Sequence, residues 1–176
     1  MNHRVHPSPV GPLTLVFDDD GALTGLYMLH QRHLPDPAAF GDPDDSLGDD
    51  VVRQLDEYFA GERTAFDLPQ APRGTEFQRS VWHELEKIPY GRTSSYGALA
   101  DALGMPGAAR AVGAATGRNP LPIIVPCHRL VGSGGALTGY AGGLEVKTAL
   151  LGLEAQHVEP DAQHAELESH PSPPRG

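Results

Sequence analysis

The chain has 176 residues, 39% of them hydrophobic, a single cysteine and a formal net charge of −10 at neutral pH. That length holds one ordinary domain or two small ones; no run approaches a membrane span, and the start, Met1-Asn2-His3-Arg4-Val5-His6-Pro7, has no apolar signal region. One cysteine excludes an internal disulfide and suits a reducing cytoplasm, and the net charge at face value argues against a nucleic-acid partner.

In chain order, Gly11–Phe17 alternates apolar and other residues at period two. Asp18-Asp19-Asp20-Gly21 then turns into Ala22–Leu29, which predicts a β-hairpin. From His30 to Asp50 the chain is rich in Pro, Asp and Gly and reads as a surface loop. Val51, Val52, Leu55, Tyr58 and Phe59 recur at helical spacing, and Gly61 ends that helix. The Pro-containing stretch 67–73 reads as an interdomain linker. Thr75-Glu76-Phe77-Gln78 is a capping box, opening a helix that carries Phe77, Val81, Trp82, Leu85 and Ile88 on one face. Pro89-Tyr90-Gly91 stops it. Ser94 or Ser95 caps a short helix with Tyr96, Leu99, Ala100 and Leu103, ended by Gly104. Pro106 opens a third over 108–115, so two short helices flank a Gly-containing turn, a helix-turn-helix pattern.

That third helix is nearly all Ala and Gly around one long cation, Arg110. Small residues serve close helix–helix packing. They serve equally well a backbone that must approach a nucleic-acid groove. The charge is segregated: residues 1–72 carry four Arg against thirteen Asp and Glu, whereas 88–135 holds Arg92, Arg110, Arg118 and Arg129 against Asp101 alone. That window can face a polyanion despite the average. Three regions follow: an α/β domain over 1–72, a mostly helical domain over 73–154, and a tail, 155–176, of histidines, acids and prolines that is expected to be disordered. The tail histidines lack ligand spacing, so no metal is expected there.

Cys127 ends the apolar run Ile123-Ile124-Val125-Pro126, read as a buried strand stopped by proline, and precedes His128 and Arg129. A buried cysteine is often only a small hydrophobe. Here His128 is a candidate base, and Arg129 is a cation expected to lower the thiol pKa. Neighbours on a strand point opposite ways, so His128 needs a loop geometry or a bridging water to reach the sulfur. Glu154, at the end of the helix 146–153, is a possible orienting carboxylate or merely a solvated helix end. Tyr140 lies in a glycine-rich loop and could stack on a flat ligand or simply pack.

Together these residues resemble the O6-alkylguanine-DNA alkyltransferases. The likeness is carried by Gly74-Thr75-Glu76-Phe77-Gln78, Val81-Trp82, Ile88-Pro89-Tyr90-Gly91, Ser95-Tyr96, Arg110-Ala111-Val112-Gly113, Asn119-Pro120, Pro126-Cys127-His128-Arg129, Gly139-Tyr140, Gly142-Gly143, Lys147 and Leu150-Leu151. It covers residues 74–154, with 1–73 matching in outline only. It implies an α+β fold: a small N-terminal α/β domain (hairpin plus helix), then a helical domain with a helix-turn-helix and the active-site cysteine loop.

The resemblance also implies roles. Cys127 accepts an alkyl group from O6-alkylguanine, and from O4-alkylthymine, in double-stranded DNA bound through the minor groove. His128 acts as base through a water, oriented by Glu154. Tyr96 donates a proton toward guanine N3, and Asn119 is a hinge between the helix-turn-helix and the cysteine loop. Arg110 fills the space of the extruded nucleotide. Ala109, Gly113, Ser95, Arg118 and Ser133 are the further DNA contacts. Tyr140, Ala141 and Val131 form the base pocket, with alanine at 141 where some relatives carry serine. A monomer with no cofactor, no structural zinc and no membrane partner is expected. Two rivals remain: an alkyltransferase-like module that binds lesions without transfer, and a Cys–His hydrolase with multiple turnovers. Retention of Cys127 with His128 and Glu154 speaks against the first.

Overall fold

The computed structural model of the protein describes residues 1–158. Four strands, β1 (Asn2–His6), β2 (Leu13–Phe17), β3 (Leu23–Met28) and β4 (Asp42–Pro43), form one sheet in the order β3-β2-β1-β4. The expected hairpin is β2–β3, antiparallel with Leu15 opposite Leu26. Its turn is held by the Asp18 carboxylate, which accepts from the amides of Asp20 and Ala22. Two strands were not expected. β1 pairs antiparallel with β2 through its backbone while none of its side chains joins the core, so periodicity gave no sign of it. β4 is two residues long, parallel to β1, inside the stretch read as loop.

Helix α1 (Asp49–Phe59) buries Val51, Leu55 and Tyr58, and Asp49 and Asp50 favour the positive end of its dipole. The stretch 67–73 is no free linker. Leu23 donates to the Pro69 carbonyl at 3.0 Å and accepts from the Ala71 amide at 2.9 Å, so the segment is hydrogen-bonded along the outer edge of β3. The same strand reaches the helical domain, since the Leu26 amide donates to the Pro120 carbonyl at 2.8 Å.

The helical domain begins with α2 (Glu76–Leu85), whose capping box is complete: Thr75 and Gln78 each bond the other's backbone amide. Helix α3 (Tyr96–Ala102) is capped by Ser95, and α4 (Ala109–Gly117) follows a turn in which Gly104 and Gly107 have φ of 72° and 88°. Those angles are costly for any side chain with a Cβ. α4 buries Val112, Ala115 and Thr116 and leaves Arg110, Ala111 and Ala114 exposed. Trp82 of α2 donates its indole N–H to the Ala115 carbonyl at 2.8 Å, fixing α4 on the domain. Strands β5 (Ser94–Ser95) and β6 (Leu130–Val131) pair in parallel and bring the start of α3 beside the cysteine segment. The last helix, α5 (Leu144–His157), continues through residues 155–157, where the tail was expected to begin. The rest of that expectation, 159–176, lies outside the described residues. The apolar side chains of the sheet, α1 and the helical domain form one contiguous core.

Candidate active site

The run Ile123–Val125 is a buried turn, not the expected strand. Val125 donates to the Leu121 carbonyl at 2.8 Å, and Ile123 has φ of 77°. A β-branched residue is strained in that region, and the surroundings must over-determine it. Asn119 supplies part of the constraint: its Oδ1 accepts from the Leu121 amide at 3.0 Å and its Nδ2 donates to the Val125 carbonyl at 3.0 Å. One side chain thus joins the end of α4 to the segment ahead of the cysteine.

Cys127, His128 and Arg129 form a single 3-10 turn after Pro126. With three residues per turn, neighbouring side chains fan around an axis instead of alternating across a strand, which removes the geometric objection to a Cys–His pair. His128 is fully buried, and its Nε2 lies 2.6 Å from Glu154 Oε2. Its Nδ1 has no hydrogen-bond partner among the described residues.

Glu154, 1% exposed, is the hub of the region. Arg129 grips it with Nε at 2.8 Å and Nη2 at 3.0 Å, the Tyr58 hydroxyl donates at 2.7 Å, and the Gly91 amide donates at 3.1 Å. Burial alone would raise its pKa; hydrogen bonds from His128 and Arg129, with their charges, instead bring it down to about 2. Burial lowers the pKa of His128 in spite of Glu154, so the imidazole is neutral near pH 7 and able to take a proton.

The cation expected beside the thiol is a different residue. Arg129 turns toward Glu154 and the Ile88 carbonyl, and the positive group that acts on the sulfur is Lys147. Its ammonium is completely buried and donates to the carbonyls of Leu130 at 2.6 Å and Thr138 at 3.3 Å. Burial pushes the Cys127 thiol up to about 11; the nearby Asn119 side chain, the charge of Lys147 and the hydroxyl of Tyr140 pull the other way. The resting group is therefore a thiol rather than the expected thiolate. Deprotonation has to accompany the reaction, and a neutral His128 is placed on the same turn for it.

Cys127 is only 7% exposed, yet it is not sealed in. It lines a cavity of about 340 Å³ with Tyr96, Arg110, Gly113, Asn119, Tyr140 and Ala141. A purine ring system fits such a volume. The Tyr96 hydroxyl lies 2.8 Å from Thr138 Oγ1, and Tyr140 is buried against the cavity with no conventional hydrogen bond from its hydroxyl to the described residues.

Other expected site residues stand apart. Val131 is buried in β6, opposite Ser95, and does not line the cavity. Ser95 is itself buried, and its Oγ accepts from the Ala98 amide as the cap of α3. Ala109 sits half-buried at the start of α4, Arg118 is exposed just past its end, and Ser133 is exposed in a turn. Sequence reasoning missed Tyr58, the fork of Arg129 on Glu154, and two residues of the loop after β3, Arg32 and His33, which also line the cavity. Among the described residues no cluster of His, Cys, Asp and Glu could hold a metal ion, and no helix is long and apolar enough to cross a membrane.

A helix-turn-helix set beside a buried thiol, an imidazole–carboxylate pair and a purine-sized cavity defines a DNA-repair alkyltransferase architecture. The chain matches the 6-O-methylguanine DNA methyltransferase ribonuclease-like domain over residues 1–72 and the DNA binding domain of the same family over residues 76–156. It belongs to that family. It is 50% identical over 161 residues to the methylated-DNA–protein-cysteine methyltransferase of Mycobacterium tuberculosis strain H37Rv, covering 92% of this chain and 96% of the relative. It is 46% identical to the enzyme of that name from Methanosarcina acetivorans, covering 88% and 98%. A crystal structure of Mycobacterium tuberculosis OGT in complex with DNA superposes with a TM-score of 0.83 at 49% identity, covering 92% of this chain and 98% of that one.

Proposed function

We propose that the protein repairs DNA by direct reversal, moving the alkyl group of O6-alkylguanine onto Cys127 in a single turnover. The observation that carries this reading is Cys127 on the lining of a purine-sized cavity, next in sequence to the buried His128–Glu154 pair, with Arg110 on the same lining. The thiol proton passes to His128 Nδ1 through a water, and Glu154 stabilises the imidazolium that results. Sγ attacks the alkyl carbon in line, the S–C bond forms as the C–O6 bond breaks, and guanine departs. Tyr96, on the cavity wall, donates a proton toward guanine N3, and Tyr140 and Ala141 flank the base. The thioether has no hydrolytic route back, so each molecule acts once.

Guanine O6 is paired inside a duplex, so the nucleotide must be extruded at a cost of a few kcal/mol, least for a damaged base. Arg110, exposed on α4, enters the stack and offsets part of that cost. The exposed face of α4 is otherwise short side chains, which suits shallow approach in the minor groove, where sequence information is poor. Ala109, Gly113 and Arg118 lie on or beside that helix, and Ser133, exposed in the turn after β6, is a further backbone contact. The protein works as a monomer in the cytoplasm, and O4-alkylthymine is a further substrate of the same chemistry. The division at residues 72/73 is the domain boundary of this reading.

Intact-protein mass spectrometry after mixing with an O6-methylguanine duplex tests it. One methyl is gained per chain, on Cys127, and Cys127→Ala binds the duplex without the gain. Multiple turnovers with an unmodified thiol would favour the hydrolase, and binding with no gain in the wild type would favour the lesion-binding module.

A further inference from the structure

Five Lys and Arg side chains of the described chain are neutralised by internal ion pairs. Arg4 pairs with Asp49, Arg53 with Asp50 and Glu57, Arg63 with Glu57, Lys87 with Glu84, and Arg129 with Glu154. Four exposed arginines, Arg32, Arg73, Arg110 and Arg118, have no side-chain hydrogen bond or ion pair with the described residues. All four line two adjoining hollows. Arg32 and Arg110 belong to the reaction cavity; Arg73 and Arg118 line a groove of about 420 Å³ between the segment 27–35 and the end of α4. His33, Gly117 and Asn119 line both, so the hollows are continuous. Among the described residues no Asp or Glu lines either one, although the chain is acidic overall. The segment is positioned for this: the Arg32 amide donates to the Ala141 carbonyl at 2.8 Å, tying it to the cavity wall.

We infer that the groove receives the phosphodiester backbone of the DNA strand beside the extruded nucleotide, so that the N-terminal domain shares in binding through Arg32 and His33, with Arg73 and Arg118 completing the cationic lining. The inference deepens the proposed function and rests on it. A base that enters the cavity brings its sugar and flanking phosphates with it, and these need an adjoining polar passage. The groove is that passage. Guanidinium groups left without internal partners match phosphate oxygens bidentately. The acidity of the N-terminal half as a whole conceals this edge.

The test is the salt dependence of affinity for a fluorescent O6-methylguanine duplex, measured by anisotropy on a Cys127→Ala background so that no transfer intervenes. Arg32→Ala and Arg73→Ala should each reduce the slope of log K against log[KCl] by about 0.9, and the double variant by about twice that, one counterion equivalent per lost phosphate contact. Arg32→Lys and Arg73→Lys keep the charge and the wild-type slope. Arg53→Ala removes the same charge at a site paired with Asp50 and Glu57 and leaves the slope unmoved. Slopes for Arg32→Ala and Arg73→Ala equal to that of Arg53→Ala would overturn the inference. If such slopes accompany normal methyl transfer to the unsubstituted protein, the groove alone is refuted; if the unsubstituted protein gains no methyl, the function itself is.

Discussion

Behind Cys127, Glu154 receives five hydrogen bonds, from Tyr58, Gly91, His128 and twice from Arg129, in a position that is 1% exposed. In front of it, Arg110 and Arg32 stand exposed with no internal partner. The two sides meet at one sulfur and follow opposite requirements. A charge inside the protein is tolerated only when paired, and the pairing makes it rigid, which suits a base that must hold one orientation. A charge intended for a polyanion does better unpaired, because an internal partner would have to be displaced on binding. Rear substitutions should therefore appear in stability, and front substitutions in reaction with DNA.

The largest effect is expected at the rear. Glu154→Ala leaves Arg129 buried without a counter-charge and His128 without its hydrogen-bond partner, and should destabilise the fold by about 3–5 kcal/mol in urea unfolding, with transfer lost as well. Acid probes the same feature. The carboxyl has its pKa lowered from 4.5 to about 2 on folding, so its contribution is complete above 4.5 and disappears as the pH falls toward 2. Unfolding within that window, displaced in Glu154→Gln, is the expected result. Stability indifferent to both changes would break the contrast.

A smaller effect follows at Tyr58, whose hydroxyl reaches Glu154 from the N-terminal domain. Tyr58→Phe removes a hydrogen bond to a charged group and should cost about 2 kcal/mol. Glu154 then becomes a stronger acceptor for His128 and raises the imidazole pKa. The acid limb of the transfer rate should move to higher pH, a shift that a purely structural role for Tyr58 would not produce. At the front, Arg110→Ala should leave unfolding within about 0.5 kcal/mol of wild type. It should slow transfer from duplex by about tenfold more than reaction with free O6-benzylguanine, which needs no extrusion. Equal losses on both substrates would remove the contrast between the two sides.

The helices and the reacting residues were legible because their signals are local. Thr75-x-x-Gln78 announces its cap, glycines end α1 and α3, and Pro126-Cys127-His128-Arg129 lies in one stretch. What was illegible depends on distant partners. Tyr58 and Glu154 are 96 residues apart, and Arg129 beside a thiol gives no hint that it points away from it. β1 escaped notice because backbone pairing, not an apolar face, holds it in the sheet. Ile123–Val125 misled by composition: β-branched residues favour strands, but full burial and Asn119 hold this run in a turn.

The final turn of α5 bears on where the chain can be trimmed. The helix passes Glu154 and sets His157 against Gly61 and Val158 against Gly91, two positive-φ glycines where a Cβ would collide with these side chains. The Gly91 amide is also one of the donors to the Glu154 carboxylate. A protein shortened to residue 154 would keep every reacting group but lose the side chains packed on Gly61 and Gly91, so a functional fragment should need at least the residues through Val158.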